Sequence, residues 1–258
     1  MDQLSQNVLK RFRKLTNKKY RQLENKFVIE GLKICSEALS SSFNIIALFI
    51  CSPMVPSPKQ TEFIQICKDR HIPCYSVDER VLSMFSDTIN SQGVIAIVEK
   101  QTINLNFEDI DSAVIIDAAQ DPGNVGTIIR TCDWFGIDSV FLGKGTVELY
   151  NPKVLRSTMG SIFHIPIFEN VDCLSIIHEF KSRYFTIFAA DSRGDTNLYS
   201  VEKKNKFAIL FGNESAGIHA RIQSETDYRV QIPNRGRAES LNLAVAAGIL
   251  ISYMVNHA

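Results

Sequence analysis

Apolar residues recur at two spacings along this chain, and the switches between them mark out its elements. Through KKYRQLENKFVIEGLKICSEAL, Phe27, Gly31, Ile34 and Leu39 approximate one apolar side, so residues 1–40 are expected to be helical. The continuous apolar run NIIALFICS then reads as a buried strand, followed by the turn-rich PMVPSPKQ. TEFIQICKDRHIPCYSVDE places Phe63, Ile66 and Cys67 at helical spacing ahead of a short strand, IPCYSV, and GVIAIVEK closes this part as another strand. Strands alternating with helices describe a small α/β domain over residues 1–101.

QTINLNFEDIDS is polar and has no apolar period long enough for an element, so residues 102–110 read as a linker. The alternation restarts beyond it and continues over residues 111–258. SAVIIDAA, DSVFLG, HIPIF, YFTIFAAD, FAILFGNES and YRVQIP read as strands. NVGTIIRTCDWFG, KVLRSTMGS, VDCLSIIHEFKS and SLNLAVAAGILISYMVNH read as helices. In an open parallel sheet, ligands gather beyond the carboxyl ends of the strands. The loops DAAQDPGNVG, AADSRGD, FGNESAG and IPNRGRAESLN are therefore the candidate site.

Charge changes the picture locally rather than in total. Lys plus Arg and Asp plus Glu are both 28 in 258 residues, but residues 1–33 carry nine bases against three acids. A basic opening on a mildly acidic body fits either a phosphate-binding arm or a solvated helix face. The six cysteines are scattered without a CxxC pair, as expected for buried thiols in a reducing cytosol rather than a disulfide framework or zinc site. The opening MDQLSQNVLKRFRK lacks the apolar core of a signal peptide, and no apolar run is long enough to span a membrane; a cytoplasmic protein without membrane contact is expected.

Within DPGNVGTIIRTCDWFG, Val125, Ile128, Ile129, Cys132 and Phe135 share one helix face. Arg130 falls on the opposite side, near Thr127 and Thr131, where it could meet a ligand or form a surface ion pair. Asn124 suits the N-cap of that helix. FGNESAG is not a GxxxxGK[ST] loop and no GxGxxG follows a strand, which argues against nucleoside triphosphate or dinucleotide binding. Ser240 and Asn242 open a terminal helix that is apolar nearly all round, and such a helix must be covered on more than one side.

Taken together, DPGNVGTIIRTCDWFG, LFGNESAGI and IPNRGRAESLNLAVA resemble, in order and spacing, the three motifs of the SpoU/TrmH family of RNA ribose 2′-O-methyltransferases. NPKVLRSTMGSIFHIPI resembles the stretch between the first two motifs, and the N-terminal part resembles the small ribosomal-protein-like RNA-binding domain that precedes the catalytic domain in many members. The resemblance implies an α/β domain with a parallel sheet and a C-terminal trefoil knot, S-adenosyl-L-methionine as cofactor, RNA as substrate and an obligate homodimer. Carried over by motif, Asn124, Arg130, Glu214, Ser240 and Asn242 are the catalytic positions. Ala190, Gly212, Asn213, Ile232, Pro233 and Leu241 would meet the cofactor, and Lys18, Lys19, Arg21, Lys153 and Arg156 the RNA. The chain departs from the family's usual Met at Asn234, Ser at Ala244 and Pro at Ser91.

A guanidinium stays protonated in proteins, so Arg130 is expected to orient an RNA phosphate and stabilise a developing alkoxide, with the phosphate or Glu214 accepting the proton. Asn124 is expected to hold Arg130 and the loop. Ribosomal RNA is the expected substrate; the alternatives are a methyltransferase acting on transfer RNA or on a base atom, and a non-catalytic knotted ribosome-assembly factor.

Overall fold

The computed structural model describes residues 4–51, 57–85, 93–202 and 204–257. Ser91 and the first half of the turn-rich PMVPSPKQ stretch lie outside the described residues. The chain forms two compact units, Met1–Thr102 with Tyr150–Phe163, and Ile103–Leu149 with His164–Ala258.

The first unit begins with α1 (Gln6–Arg13) and α2 (Lys18–Glu24), and it departs at once from an all-helical opening. Asn25 takes the left-handed conformation, φ 51°, and caps α2. After it Lys26–Glu30 forms a strand, β1, before Gly31 at φ 108° leads into α3 (Leu32–Ser40). The apolar trio Phe27, Val28 and Ile29 is buried, and the strand pairs antiparallel with β4 (Val94–Glu99), Phe27 opposite Val98. A helical period cannot be told from a strand over so short a run, and pairing decides it. The other elements are β2 (Ile45–Cys51), α4 (Pro58–Asp69), β3 (Cys74–Val77) and α5 (Glu79–Ser83). The sheet order is β1-β4-β2-β3. Phe12, Leu15, Phe49, Leu82, Phe85, Ile95 and Ile97 form its core.

Arg21 is a correction to the RNA-facing set. It is 4% exposed, and its guanidinium donates to the carbonyls of Leu15 (2.9 Å) and Thr16 (2.8 Å), which close the turn between α1 and α2. Lys18 and Lys19, on the same helix, are exposed.

The second unit opens with Leu105 and Phe107, which pack onto its core, so the segment expected as a plain linker carries a short 3-10 turn, Phe107–Asp109, anchored by an aromatic ring. Its strands are β5 (Ser112–Ile116), β6 (Ser139–Gly143), β7 (Ile167–Val171), β8 (Thr186–Ala190), β9 (Thr196–Asn197), β10 (Phe207–Phe211) and β11 (Tyr228–Gln231). All neighbouring pairs are parallel, in the order β7-β6-β5-β10-β8-β11-β9. The helices of this unit are α6 (Pro122–Phe135), α8 (Cys173–Ser182), α9 (Ala220–Gln223) and α10 (Leu243–His257); α7 (Pro152–Thr158) belongs to the first unit. Ile176, Ile177 and Phe180 of α8 cover one face with Phe141, Ile187 and Leu210. α10 packs against α6, β8 and β10.

Arg21→Met keeps the volume of that side chain but takes the donor from one buried and one part-buried carbonyl. It is expected to lower stability by about 1–3 kcal/mol, read as a fall in thermal midpoint, whereas Lys18→Met leaves the midpoint unchanged.

Candidate active site at the switch between β5 and β10

From β5 the chain proceeds outward to β6 and β7, while β10 on its other side leads toward β8 and β11. The carboxyl ends of β5 and β10 thus lie side by side where the strand order reverses, the position at which open parallel sheets form a crevice. The loop after β5 carries 118–121, and the loop after β10 carries 212–217.

The first loop is shaped by its own sequence. Ala118 takes φ 56°, a conformation costly for a residue with a Cβ. Its carbonyl accepts from Asn213 Nδ2 at 2.8 Å, which fixes that conformation from the second loop. Asp121, not Asn124, caps α6: its side chain accepts the Asn124 backbone N–H at 2.8 Å, with Pro122 at the first turn. An acid followed by proline is a helix-start signal in its own right, and it outranks the asparagine three residues later. Asn124 is therefore inside the helix and 8% exposed.

The second loop is a tight hairpin. Asn213 and Gly217 exchange backbone hydrogen bonds at 3.0 and 2.9 Å, and Asn213 Oδ1 accepts from the N–H groups of Ser215 and Ala216. A Cβ at Gly212 would fall 2.3 Å from the Gly217 backbone, so this position admits only glycine. Asn213 thereby commits its backbone groups and side-chain oxygen to the loop.

Glu214, at the hairpin tip, joins the two loops. One carboxylate oxygen accepts the Gln120 N–H at 3.0 Å; the other accepts the Asp121 N–H at 3.0 Å and Asn124 Nδ2 at 3.1 Å. Burial works to raise its pKa, but these donors outweigh it and hold the carboxyl below its ordinary range. The Asn124 side-chain oxygen in turn accepts Asn242 Nδ2 at 2.9 Å. Asn242 Oδ1 receives the N–H groups of Ala244 (2.9 Å) and Val245 (3.2 Å), capping α10. Three segments far apart in sequence thus meet in one chain of hydrogen bonds, Gln120/Asp121–Glu214–Asn124–Asn242.

Arg130 stands apart from that chain. It is exposed on α6 and makes no hydrogen bond or ion pair with a described residue. Six residues separate it from Asn124, roughly 120° around the helix axis and about 9 Å along it. Asn124 accordingly holds the loops and not Arg130, contrary to expectation. Ser240 is exposed and also without a described hydrogen-bond partner.

The positions read as cofactor contacts surround the same crevice. Ala190 ends β8, Gly212 and Asn213 follow β10, and Ile232 and Pro233 follow β11, half-buried. Leu241 is 48% exposed beside the Asn242 cap. Between Pro233 and Leu241 the described hydrogen bonds are those of Asn234, so most backbone groups there remain open to a ligand. An exposed apolar side chain next to open amides and carbonyls fits an amphipathic cofactor recognised by backbone. Of the positions read as RNA contacts, Lys153 and Arg156 lie on α7, exposed and half-buried respectively, without a described side-chain partner.

Comparison with known proteins gives a consistent result. The model of the SpoU rRNA Methylase family matches residues 111–252, and that of the MRM3-like substrate binding domain matches residues 6–96. The 23S rRNA (guanosine(2553)-2′-O)-methyltransferase RlmP of Bacillus subtilis is 34% identical over 95% of this chain and 95% of its own. An AdoMet-bound rRNA methyltransferase from Sinorhizobium meliloti superposes with TM-score 0.87 at 30% identity, covering 100% of this chain and 97% of that one. The SpoU methyltransferase AviRb of Streptomyces viridochromogenes, in complex with AdoMet, shares the fold at TM-score 0.87 and 24% identity, covering 98% of each chain.

Glu214→Gln turns one acceptor oxygen into a donor facing N–H groups, and because the side chain is exposed it is expected to cost about 0.5–1.5 kcal/mol. Because the folded pKa is lowered, the wild-type contribution is complete above the ordinary glutamate pKa and is lost as pH falls through the lowered value. Urea unfolding between neutral and acid pH should therefore give a gap between wild type and variant that narrows on acidification.

Proposed function

The chain belongs to the SpoU rRNA methylase family, and on that footing we propose that it transfers a methyl group from S-adenosyl-L-methionine to a ribose 2′-hydroxyl of ribosomal RNA, in the cytoplasm and as a homodimer. One observation carries the reading: the Glu214–Asn124–Asn242 chain of hydrogen bonds, which draws all three motif segments to the crevice at the switch of a parallel sheet.

S-adenosylmethionine, when bound, supplies an electrophilic methyl group on a sulfonium. The backbone groups of Ile232, Pro233 and Leu241 and the turn at Gly212 would hold it, with Asn213 keeping that turn shut. Ala190, the last residue of β8, would border it. The chain's own part in the reaction is to bring the ribose oxygen into line and manage its proton. Arg130, free of competing partners among the described residues, presents a guanidinium fork to the phosphate beside the target ribose and stabilises the oxygen as its proton leaves. Glu214 is a poor proton acceptor, since its oxygens are already occupied and its pKa is depressed. The phosphate gripped by Arg130 is left as acceptor. Ser240, unengaged within the chain, is available to the ligand or to the second subunit, and Lys18, Lys19, Lys153 and Arg156 to the RNA.

Support for the dimer comes from an apolar surface on the second unit. Trp134 on α6 is 82% exposed, Val245 on α10 52% and Tyr199 61%, and a shallow groove runs between Phe135, Tyr199, Val245, Ile249 and Tyr253. Large apolar side chains lining one exposed groove are a mark of association, and Trp134 adjoins Phe135 of that groove in sequence. A second copy presenting the same helices would cover them.

Mass spectrometry of ribosomal and transfer RNA from cells with and without the protein tests the activity. Loss of one 2′-O-methyl nucleotide from ribosomal RNA is expected; loss from transfer RNA, or of a base methyl, replaces the substrate, and no loss together with no calorimetric binding of S-adenosylmethionine leaves an assembly factor. Arg130→Lys keeps the charge and loses the fork, and is expected to cut the single-turnover rate about 100-fold or more with RNA affinity nearly unchanged. Val245→Glu should sediment as a folded monomer, with an unaltered far-ultraviolet spectrum and no methyl transfer.

A further inference from the structure

The loop between Pro233 and Asn242, inside the third motif segment, displays two arginines that were assigned no role. Arg235 and Arg237 are exposed, and neither makes a hydrogen bond or ion pair with a described residue. The loop carrying them is nevertheless braced. Its first end leaves β11, and its second is tied by Asn242 to Asn124 and to the first amides of α10. Asn234 closes the middle: its Oδ1 accepts the Gly236 N–H at 2.7 Å and its Nδ2 donates to the Ala238 carbonyl at 2.6 Å. A methionine at position 234 could make neither bond. Asparagine therefore converts an open strip into a closed turn with one arginine on each side of Gly236.

We propose that Arg235 and Arg237 are a phosphate clamp for the RNA strand at the mouth of the crevice, presented in a fixed spacing by the Asn234 turn. The inference rests on the RNA methyl-transfer reading above and adds to it the residues that seat the strand. Each guanidinium offers a planar set of donors suited to phosphate oxygens. The cofactor offers a single carboxylate to a guanidinium, whereas successive phosphates of a strand offer one partner to each of the two arginines. Glu239 is the one acid on the loop, which leaves it with a net positive charge on a chain whose total is zero. The second unit, residues 103–149 and 164–258, holds 12 bases and 18 acids, so attraction of a polyanion to it must be local. Bracing matters because a fixed loop backbone leaves only the two side chains to be ordered on binding.

The experiment uses the full chain and ribosomal RNA purified from cells lacking the protein, with filter binding across a range of KCl, steady-state methyl transfer, and calorimetry with S-adenosylmethionine. Arg235→Gln/Arg237→Gln is expected to lower the slope of log affinity against log salt by about 1.4, at about 0.7 per single-strand phosphate contact. The KM for RNA should rise about tenfold, with kcat and cofactor affinity within about twofold of wild type. Arg235→Lys/Arg237→Lys should restore the slope, and Asn234→Ala should weaken binding with the slope retained. A double glutamine variant with wild-type salt slope and KM overturns the clamp, as does one whose main loss is cofactor affinity. Wild-type protein that binds neither S-adenosylmethionine nor RNA overturns the methyl-transfer reading itself, and the clamp with it; wild-type activity with an indifferent double variant removes the clamp alone.

Discussion

A single carboxylate holds this site in shape. Glu214 receives two backbone amides from the loop after β5 and one side-chain amide from α6, across sequence separations of 90 to 94 residues. Together with the bond from Asn213 Nδ2 to the Ala118 carbonyl, it fixes the spacing of two loops at adjacent strand ends, and that second bond holds the left-handed Ala118 in place. Loops tolerate strain only where the surroundings over-determine them, and the hairpin of 212–217 does that here. The same bonds settle how labour is divided. A carboxylate occupied by three donors stabilises architecture and makes a weak base, which, for the proposed methyl transfer, leaves proton removal to another group.

Much of this was legible in the chain. The parallel strands from SAVIIDAA to YRVQIP, the helices between them and the terminal apolar helix follow directly from apolar period and run length, because each buries a continuous face. Apart from the short α5, β9 and α9, two features escaped it. β1 was hidden because five residues between Asn25 and Gly31 are too few to separate a strand from a helix, and its partner β4 lies nearly seventy residues away. The start of α6 was misplaced because two candidate caps compete in DPGN, and proline after the acid decides between them.

The site was legible in identity but not in wiring. Motif order singled out Asn124, Glu214 and Asn242, yet nothing in a linear string says that Asn124 faces those two rather than Arg130. That depends on where the helix begins, since one residue shifts a side chain by about 100°. Arg21 illustrates the converse limit. It sits among exposed bases in a charge count, and only the turn between α1 and α2 reveals that its guanidinium is a structural donor.

The path of the backbone between the two units has its own consequence. Residues 150–163 leave the second unit, contribute α7 to the first, and return, with the rings of Tyr150 and Phe163 set 4.5 and 6.4 Å from that of Phe27. The amino-terminal module is thus not a detachable bead on a string. Cutting the gene after Thr102 would leave a catalytic fragment trailing greasy aromatic side chains with no home, and a leading fragment with a hole where they belong. Any ancestor that acquired or shed this module had to rewrite an internal stretch of the enzyme at the same time.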